Sequence, residues 1–224
     1  GLGFDAVVLT NLRRDHLDLH GSVLKYRKAK MRLFAQLKPH GFAVLNADDP
    51  GSKLPLSQLD CPVMTFGMRS DAEVMGEVIE RHSSEQTYLL MAGQDSVPVR
   101  TRMIGDHHAS NCLAAAAFGL VMGLDLTTVA RGLESVEHLP GRLERVECGQ
   151  SFSVFVDCAD TADQLAVCLK TVRRVTRGRV LCVFCSERAA RRDERPLLGR
   201  VLEKSADLGV ITSEGHATGE PLPC

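Results

Sequence analysis

Between Ser151 and Thr212 the apolar residues change period repeatedly, and this switching limits the folds open to the chain. Ser151–Val156 alternates in and out as a strand does, with Asp157 at its carboxyl end. Ala162–Arg174 then sets Leu165, Cys168, Leu169 and Val172 at helical spacing. Val180–Phe184 is a short apolar run, Leu197–Ala206 a second helical pattern, and Gly209–Thr212 a third strand. Strand, helix, strand, helix, strand predicts a parallel sheet with right-handed crossovers, part of a Rossmann-like α/β domain. Asp157 then lies at the strand end where an acid can meet ribose hydroxyls.

His138-Leu-Pro-Gly-Arg142 precedes this domain, and its Pro140 and Gly141 stop a helix and allow a hinge, dividing 1–138 from 139–224. The first part opens directly as a strand, Gly1–Asn11. Thr10–Gly21 packs Asp15, His16, Asp18 and His20 together, and His16 with His20 could pair on zinc. Ser22 is a candidate N-cap for a helix carrying Val23, Tyr26, Leu33, Phe34 and Leu37 on one face. Lys30 shares that face, and either runs its stem to water or is buried for chemistry. Phe42–Asn46 is a strand ending in Asp48-Asp49-Pro50, which is good turn chemistry and also stands where α/β sheets hold ligands. Cys61–Gly67 is another strand, and Glu73–Arg102 a β-rich excursion. Ile104–Leu120 is an Ala-rich helix whose polar start offers unpaired N–H groups, and Asn111 is either a ligand contact or a cap. Leu126–Leu133 is a further helix.

Lys and Arg total 27 against 28 Asp and Glu, a net charge of −1, so no strong pull toward nucleic acid or a membrane surface follows. No apolar run approaches the length of a membrane span. Eight cysteines lie scattered in apolar segments, as suits a reducing cytosol, and Cys182 with Cys185 is read as part of a buried strand before a redox or metal pair. Both ends of the chain look like cuts through a longer protein.

The run Thr10-Asn-Leu-x-Arg-Asp-His16-Leu-Asp-x-His20-Gly21, followed by Tyr26, Ala29-Lys30 and Leu33-Phe34, resembles the central domain of the Mur ligases. Within that family it is most similar to members that add a diamino acid, the third residue, to UDP-N-acetylmuramoyl-dipeptide. The resemblance extends over the whole chain, and implies the latter part of a central ATPase-type α/β domain followed by a Rossmann-like C-terminal domain. It implies a cytoplasmic, monomeric, ATP- and magnesium-dependent ligase that forms an acyl phosphate, with a UDP-N-acetylmuramoyl-peptide and an amino acid as substrates. By the same resemblance Lys30 is carboxylated to a carbamate, and Lys30 and His16 hold magnesium. Asp49, His108, Asn111, Arg142 and Asp157 face the nucleotide, and Arg142 reaches its phosphates. Thr10, Asn11, Arg188 and Arg195 face the substrate.

The pattern is broken in places. The family's Asp-Tyr-Ala-His-Thr-Pro-Asp stands here as Asp157-Cys-Ala-Asp-Thr-Ala-Asp163, and His108 replaces an asparagine. Ala190 takes the place of an arginine that contacts the incoming amino acid, with Arg188, Arg191 and Arg192 nearby. Glu214-Gly-His-Ala217 replaces the Asp-Asn-Pro-Arg that selects diaminopimelate, removing a bidentate carboxylate clamp. No Gly-rich Lys-Ser/Thr phosphate loop occurs, so these 224 residues alone are expected to be inactive. A catalytically degenerate binding or scaffold protein, and a ligase of the folylpolyglutamate or cyanophycin synthetase type, are the alternatives.

Overall fold

The computed structural model describes residues 2–12, 21–52, 59–185 and 195–212. They divide into two compact units, Gly1–Arg81 with Glu85–Glu137, and His82–Ser84 with His138–Cys224.

The first unit is built on a six-stranded sheet in the order β1 (Phe4–Leu9), β2 (Leu37–Asn46), β3 (Val63–Gly67), β4 (Val74–Arg81), β5 (Gln86–Ala92), β6 (Asp95–Thr101). Strands β1 to β4 are mutually parallel, and β4 with β5 and β5 with β6 pair antiparallel. The β-rich excursion expected over Glu73–Arg102 therefore continues the same sheet. The second half of β2 shows why Phe42–Leu45 is an unbroken apolar run. Val44 points into one core with Phe66, Tyr88 and Leu90, while Ala43 and Leu45 enter another with Val7, Leu9 and Phe34. A strand buried on both faces has no polar side to present.

Helix α1 (Val23–Met31) is shorter than its apolar spacing suggested. Ser22 does cap it, its hydroxyl accepting from Lys25 N at 3.3 Å. The helix stops at Met31, a 3₁₀ turn follows at Phe34–Gln36, and Leu37 already belongs to β2. Phe34 reaches the core through that turn, and Leu33, expected on the buried face, is 41% exposed. Only Tyr26 of α1 is buried, so pairing of Leu37–Asn46 in the sheet outweighs a longer helix.

Helix α2 (Asp106–Val121) lies across the sheet and is lined there by Ala109, Ala114, Ala116 and Ala117. Small residues let it approach closely, and so does the strand beneath it. A Cβ on Gly76 of β4 would sit 2.8 Å from Leu113 Cδ2. Helix α3 (Leu126–Glu134) is capped by Asp125, whose carboxylate accepts from Thr128 N at 2.9 Å and Thr128 Oγ1 at 2.6 Å.

In the second unit β7 (Glu144–Val146) pairs antiparallel with β8 (Val154–Val156). Then come α4 (Ala162–Val175), β9 (Leu181–Cys185), α5 (Arg195–Ser205) and β10 (Leu208–Thr212), with β9 and β10 parallel. The expected three-stranded parallel sheet is present among the described residues as this pair alone, because β8 spends its pairing on β7, a three-residue strand with two charged side chains. One face of β9–β10 packs on α4 and α5 through Phe184, Leu165, Leu169, Leu198 and Leu202. Arg173 of α4 fastens the sheet's entry, donating to Asp207 Oδ2 at 2.6 Å, and the same oxygen accepts from Val180 N at 2.7 Å. Cys182 and Cys185 lie within β9 as free thiols, but the strand is not the buried one expected, since Leu181 and Val183 are exposed and both cysteines only half-buried.

Candidate functional site

The carboxyl ends of β1 and β2 lie side by side, because the two strands are parallel and in register from Ala6↔Phe42 to Leu9↔Leu45. Beyond β1 the side chains of Thr10 and Asn11 are exposed while Leu12 is buried. That segment is held from β2. Asn46 Nδ2 donates to the Thr10 carbonyl at 2.8 Å, and Leu12 N donates to Asp49 Oδ2 at 2.8 Å. Asn46 Oδ1 in turn accepts from Asp48 N at 2.9 Å. Gly51 closes the corner, since a Cβ there would stand 2.6 Å from Leu12 Cβ and 2.8 Å from Asp49 Oδ2. Asp48 turns the other way and accepts from Met68 N, Arg69 N and Ser70 N at 2.7, 3.1 and 2.8 Å. Burial pushes its pKa up, but these amides prevail and hold it below the usual carboxylate value.

Lys30 comes to this corner from α1. Its Nζ donates to the Asn11 carbonyl at 3.3 Å and lies 4.8 Å from the centroid of the Tyr26 ring, one helical turn earlier. Lys30 is half-buried, packed on the Tyr26 ring with its head on a backbone carbonyl, which is nearer to the expected snorkelling lysine than to a buried one. Thr10, Asn11, Lys30 and Asp49 are thus brought together. Asp49 is only 8% exposed, and one of its oxygens is already taken by the backbone.

At the start of α2, Gly105 is the N-cap with φ 107°, so Asn111, six residues further on and exposed, is no cap. His108 is buried, its ring 4.1 Å from that of His107. Burial lowers the His107 pKa, and Asp106 acts in the opposite sense. The residue that organises this turn was not singled out from the sequence. Buried Gln86 donates through Nε2 to the Met103 and Gly105 carbonyls at 2.9 and 3.1 Å, and accepts from Gly105 N at 2.9 Å. A lone glutamine at a strand start gives no periodic signal.

In the second unit Arg142 is exposed between two left-handed residues, Gly141 (φ 64°) and Leu143 (φ 48°). The segment around Arg142 is tied down at several points. Gly141 N donates to Glu144 Oε2 at 2.9 Å, Cys158 N to the Gly141 carbonyl at 2.8 Å, and Leu143 N to Asp157 Oδ2 at 2.8 Å. The other oxygen of Asp157 accepts from Ala159 N at 2.8 Å. Arg195 opens α5 and is half-buried. His16 and Arg188 lie outside the described residues, as do His20, Ala190 and Glu214–Ala217. Among the described residues no group of three or more His, Cys, Asp or Glu side chains is arranged to hold a metal ion. No helix among them is long and apolar enough to cross a membrane.

A mixed α/β chain with polar groups gathered at the carboxyl ends of parallel strands has the layout of a ligand-binding α/β protein. Residues 1–119 match the Mur ligase middle domain, and residues 141–222 match the Mur ligase, glutamate ligase domain. The chain belongs to the Mur ligase family. It is 39% identical, over 99% of its length, to the UDP-N-acetylmuramoyl-L-alanyl-D-glutamate--2,6-diaminopimelate ligase of Geobacillus kaustophilus, of which it covers 46%. The chain thus spans about half the length of that relative. In fold it is similar to MurF from Acinetobacter baumannii, with a TM-score of 0.79 at 22% identity over 92% of this chain and 46% of the other. A second MurF, from Thermotoga maritima in complex with ADP, matches with a TM-score of 0.78 at 17% identity, covering 98% of this chain and 50% of that one.

Proposed function

We propose that the chain is part of an ATP-dependent ligase that joins the third amino acid to UDP-N-acetylmuramoyl-dipeptide in peptidoglycan precursor synthesis. The observation that carries this is Lys30, set against Tyr26 and directed at the Asn11 carbonyl where β1 ends. The similarity to a diaminopimelate ligase and the ADP-bound fold relative support the substrate class and the nucleotide. Residues 1–138 would be the latter part of the central domain, and 139–224 part of the C-terminal one.

In this proposal the substrate's terminal carboxylate attacks the γ-phosphoryl of ATP, giving an acyl phosphate and ADP. The amine of the amino acid then attacks the acyl carbon, and phosphate leaves. Lys30 as its carbamate presents oxygen donors beside the exposed Thr10 side chain and the Asn11 carbonyl. The carbamate's oxygens would suit a hard cation. Lys30, with His16, would hold magnesium, which when bound supplies charge neutralisation during phosphoryl transfer. Thr10 and Asn11 face the substrate; Asn111, exposed beside buried His108, faces the nucleotide. In the second unit Arg142 faces phosphate, Asp157 keeps lone pairs for ribose hydroxyls beyond its two backbone bonds, and Arg188 and Arg195 face the amino acid. The protein acts as a cytoplasmic monomer.

The test is ADP release by the full-length gene product, supplied with UDP-N-acetylmuramoyl-dipeptide and a panel of amino acids. One amino acid should give ADP and ligated product, and Lys30→Ala should lower the rate roughly 10²–10³-fold, the scale of losing a charge-stabilising group. Unchanged turnover in Lys30→Ala would remove the carbamate from the mechanism. No ADP with any amino acid would favour a binding protein, to which the changes at Ala190 and Glu214–Ala217 also point.

A further inference from the structure

We infer that Asn46 and Asp49 are positioning residues for Lys30, acting through two consecutive peptide planes rather than by touching nucleotide. A peptide unit is planar and trans, so its N–H and C=O point from opposite edges. Asp49 Oδ2 grips the N–H of the Asn11–Leu12 peptide at 2.8 Å, and the carbonyl of that same peptide accepts Lys30 Nζ at 3.3 Å. Asn46 Nδ2 holds the carbonyl of the preceding peptide, Thr10–Asn11, at 2.8 Å. Neither plane can rotate about the chain axis without breaking a bond to the end of β2. Gly51 and the buried Leu12 side chain remove the space into which the segment could shift. The turn after β2 therefore sets where the lysine's acceptor lies, although Lys30 hydrogen-bonds the Asn11 carbonyl and neither Asn46 nor Asp49.

The catalytic consequence rests on the ligase proposal, but the geometry can be tested without it. The full-length gene product, depleted of carbon dioxide and bicarbonate so that Lys30 carries a free amine, is exposed to limiting acetic anhydride, and acetylation of Lys30 is compared by mass spectrometry with that of Lys28, an exposed lysine on the same helix. Lys30 should react about fivefold more slowly than Lys28, the factor that one ordinary hydrogen bond represents. Asp49→Ala should bring the two rates close together, while Asp49→Asn, which keeps an acceptor for Leu12 N, should retain most of the difference. Asn46→Asp, which loses only the donor to Thr10 and keeps the acceptor for Asp48 N, covers the case in which Asp49→Ala does not fold. In the ligation assay Asp49→Ala should lower kcat with KM for ATP within about twofold. A Lys30 to Lys28 ratio unchanged in both Asp49→Ala and Asn46→Asp overturns the inference. So does a raised KM for ATP at constant kcat, which would make Asp49 a nucleotide ligand. If the wild-type protein releases no ADP at all, the ligase proposal fails, and the acetylation ratios still decide the positioning role.

Discussion

Asp49 and Asp157 occupy matching places in two separate sheets, just past the carboxyl ends of β2 and β8, and both use their carboxylates on the backbone. Asp49 reaches back 37 residues to Leu12 N, and Asp157 reaches back 14 to Leu143 N. The surroundings differ. Asp49 is buried and accepts from one distant amide, with Gly51 tight against it. Asp157 is half-buried, accepts from two amides, and steadies a segment with two successive left-handed positions flanking Arg142. A carboxylate at a strand end can thus order a loop in either of two ways. It can pin an unstrained segment in a dry corner, or it can hold a strained one at a wet edge. In both cases the held loop carries exposed side chains, Thr10 and Asn11 in the first and Arg142 in the second.

The largest effect should come from the strained side. Gly141→Ala would place its Cβ 2.3 Å from Cys158 Sγ and at φ 64°, so it should destabilise by about 3 kcal/mol, overpacking and left-handed strain together. In a Cys158→Gly background about 1 kcal/mol should remain, the part due to φ. Gly51→Ala has no positive φ to add, and should cost about 2 kcal/mol through its contacts with Leu12 and Asp49. Equal penalties in the presence and absence of Cys158 would break the distinction. Next comes removal of the acceptors: Asp49→Ala strands an N–H in a buried corner and should cost about 2 kcal/mol, while water can replace Asp157, whose loss should cost nearer 1 kcal/mol. Denaturant unfolding of each variant against its own background measures these differences. The smallest effect is the response to acid. Asp48 and Asp207 both have lowered folded-state pKa values, Asp48 through amides that outweigh its burial, Asp207 first through Val180 N and then Arg173. A depressed folded value contributes stability above the unfolded pKa of about 3.9, lost as pH falls through the folded value. The midpoint of thermal unfolding should fall more steeply below about pH 4 in wild type than in Asp48→Asn or Asp207→Asn.

The strands were the legible part of the fold because burial on both faces writes itself into runs such as Phe42–Leu45. Helix α2 was legible for a related reason: its alanines and their helical spacing agree. Helix α1 was overextended because Leu33, Phe34 and Leu37 fit helical spacing, while the structure uses Phe34 from a 3₁₀ turn and Leu37 from a strand. Strand β7 was missed since Glu-Arg-Val has neither length nor alternation. Within the candidate site, Lys30 and its neighbours stood out as a motif in one stretch of chain. The bonds from Asn46, Asp49, Gln86 and Asp157 did not, because each joins a polar side chain to a backbone group far along the chain, and backbone groups carry no sequence signal.

The most direct test of Lys30's assigned chemistry is carbon-13 NMR of the full-length gene product incubated with labelled bicarbonate. A carbamate carbon signal present in wild type, absent from Lys30→Ala and retained in Lys28→Ala is the expected result. A spectrum without that signal, or one in which it survives Lys30→Ala unchanged, would contradict a carbamate on this lysine.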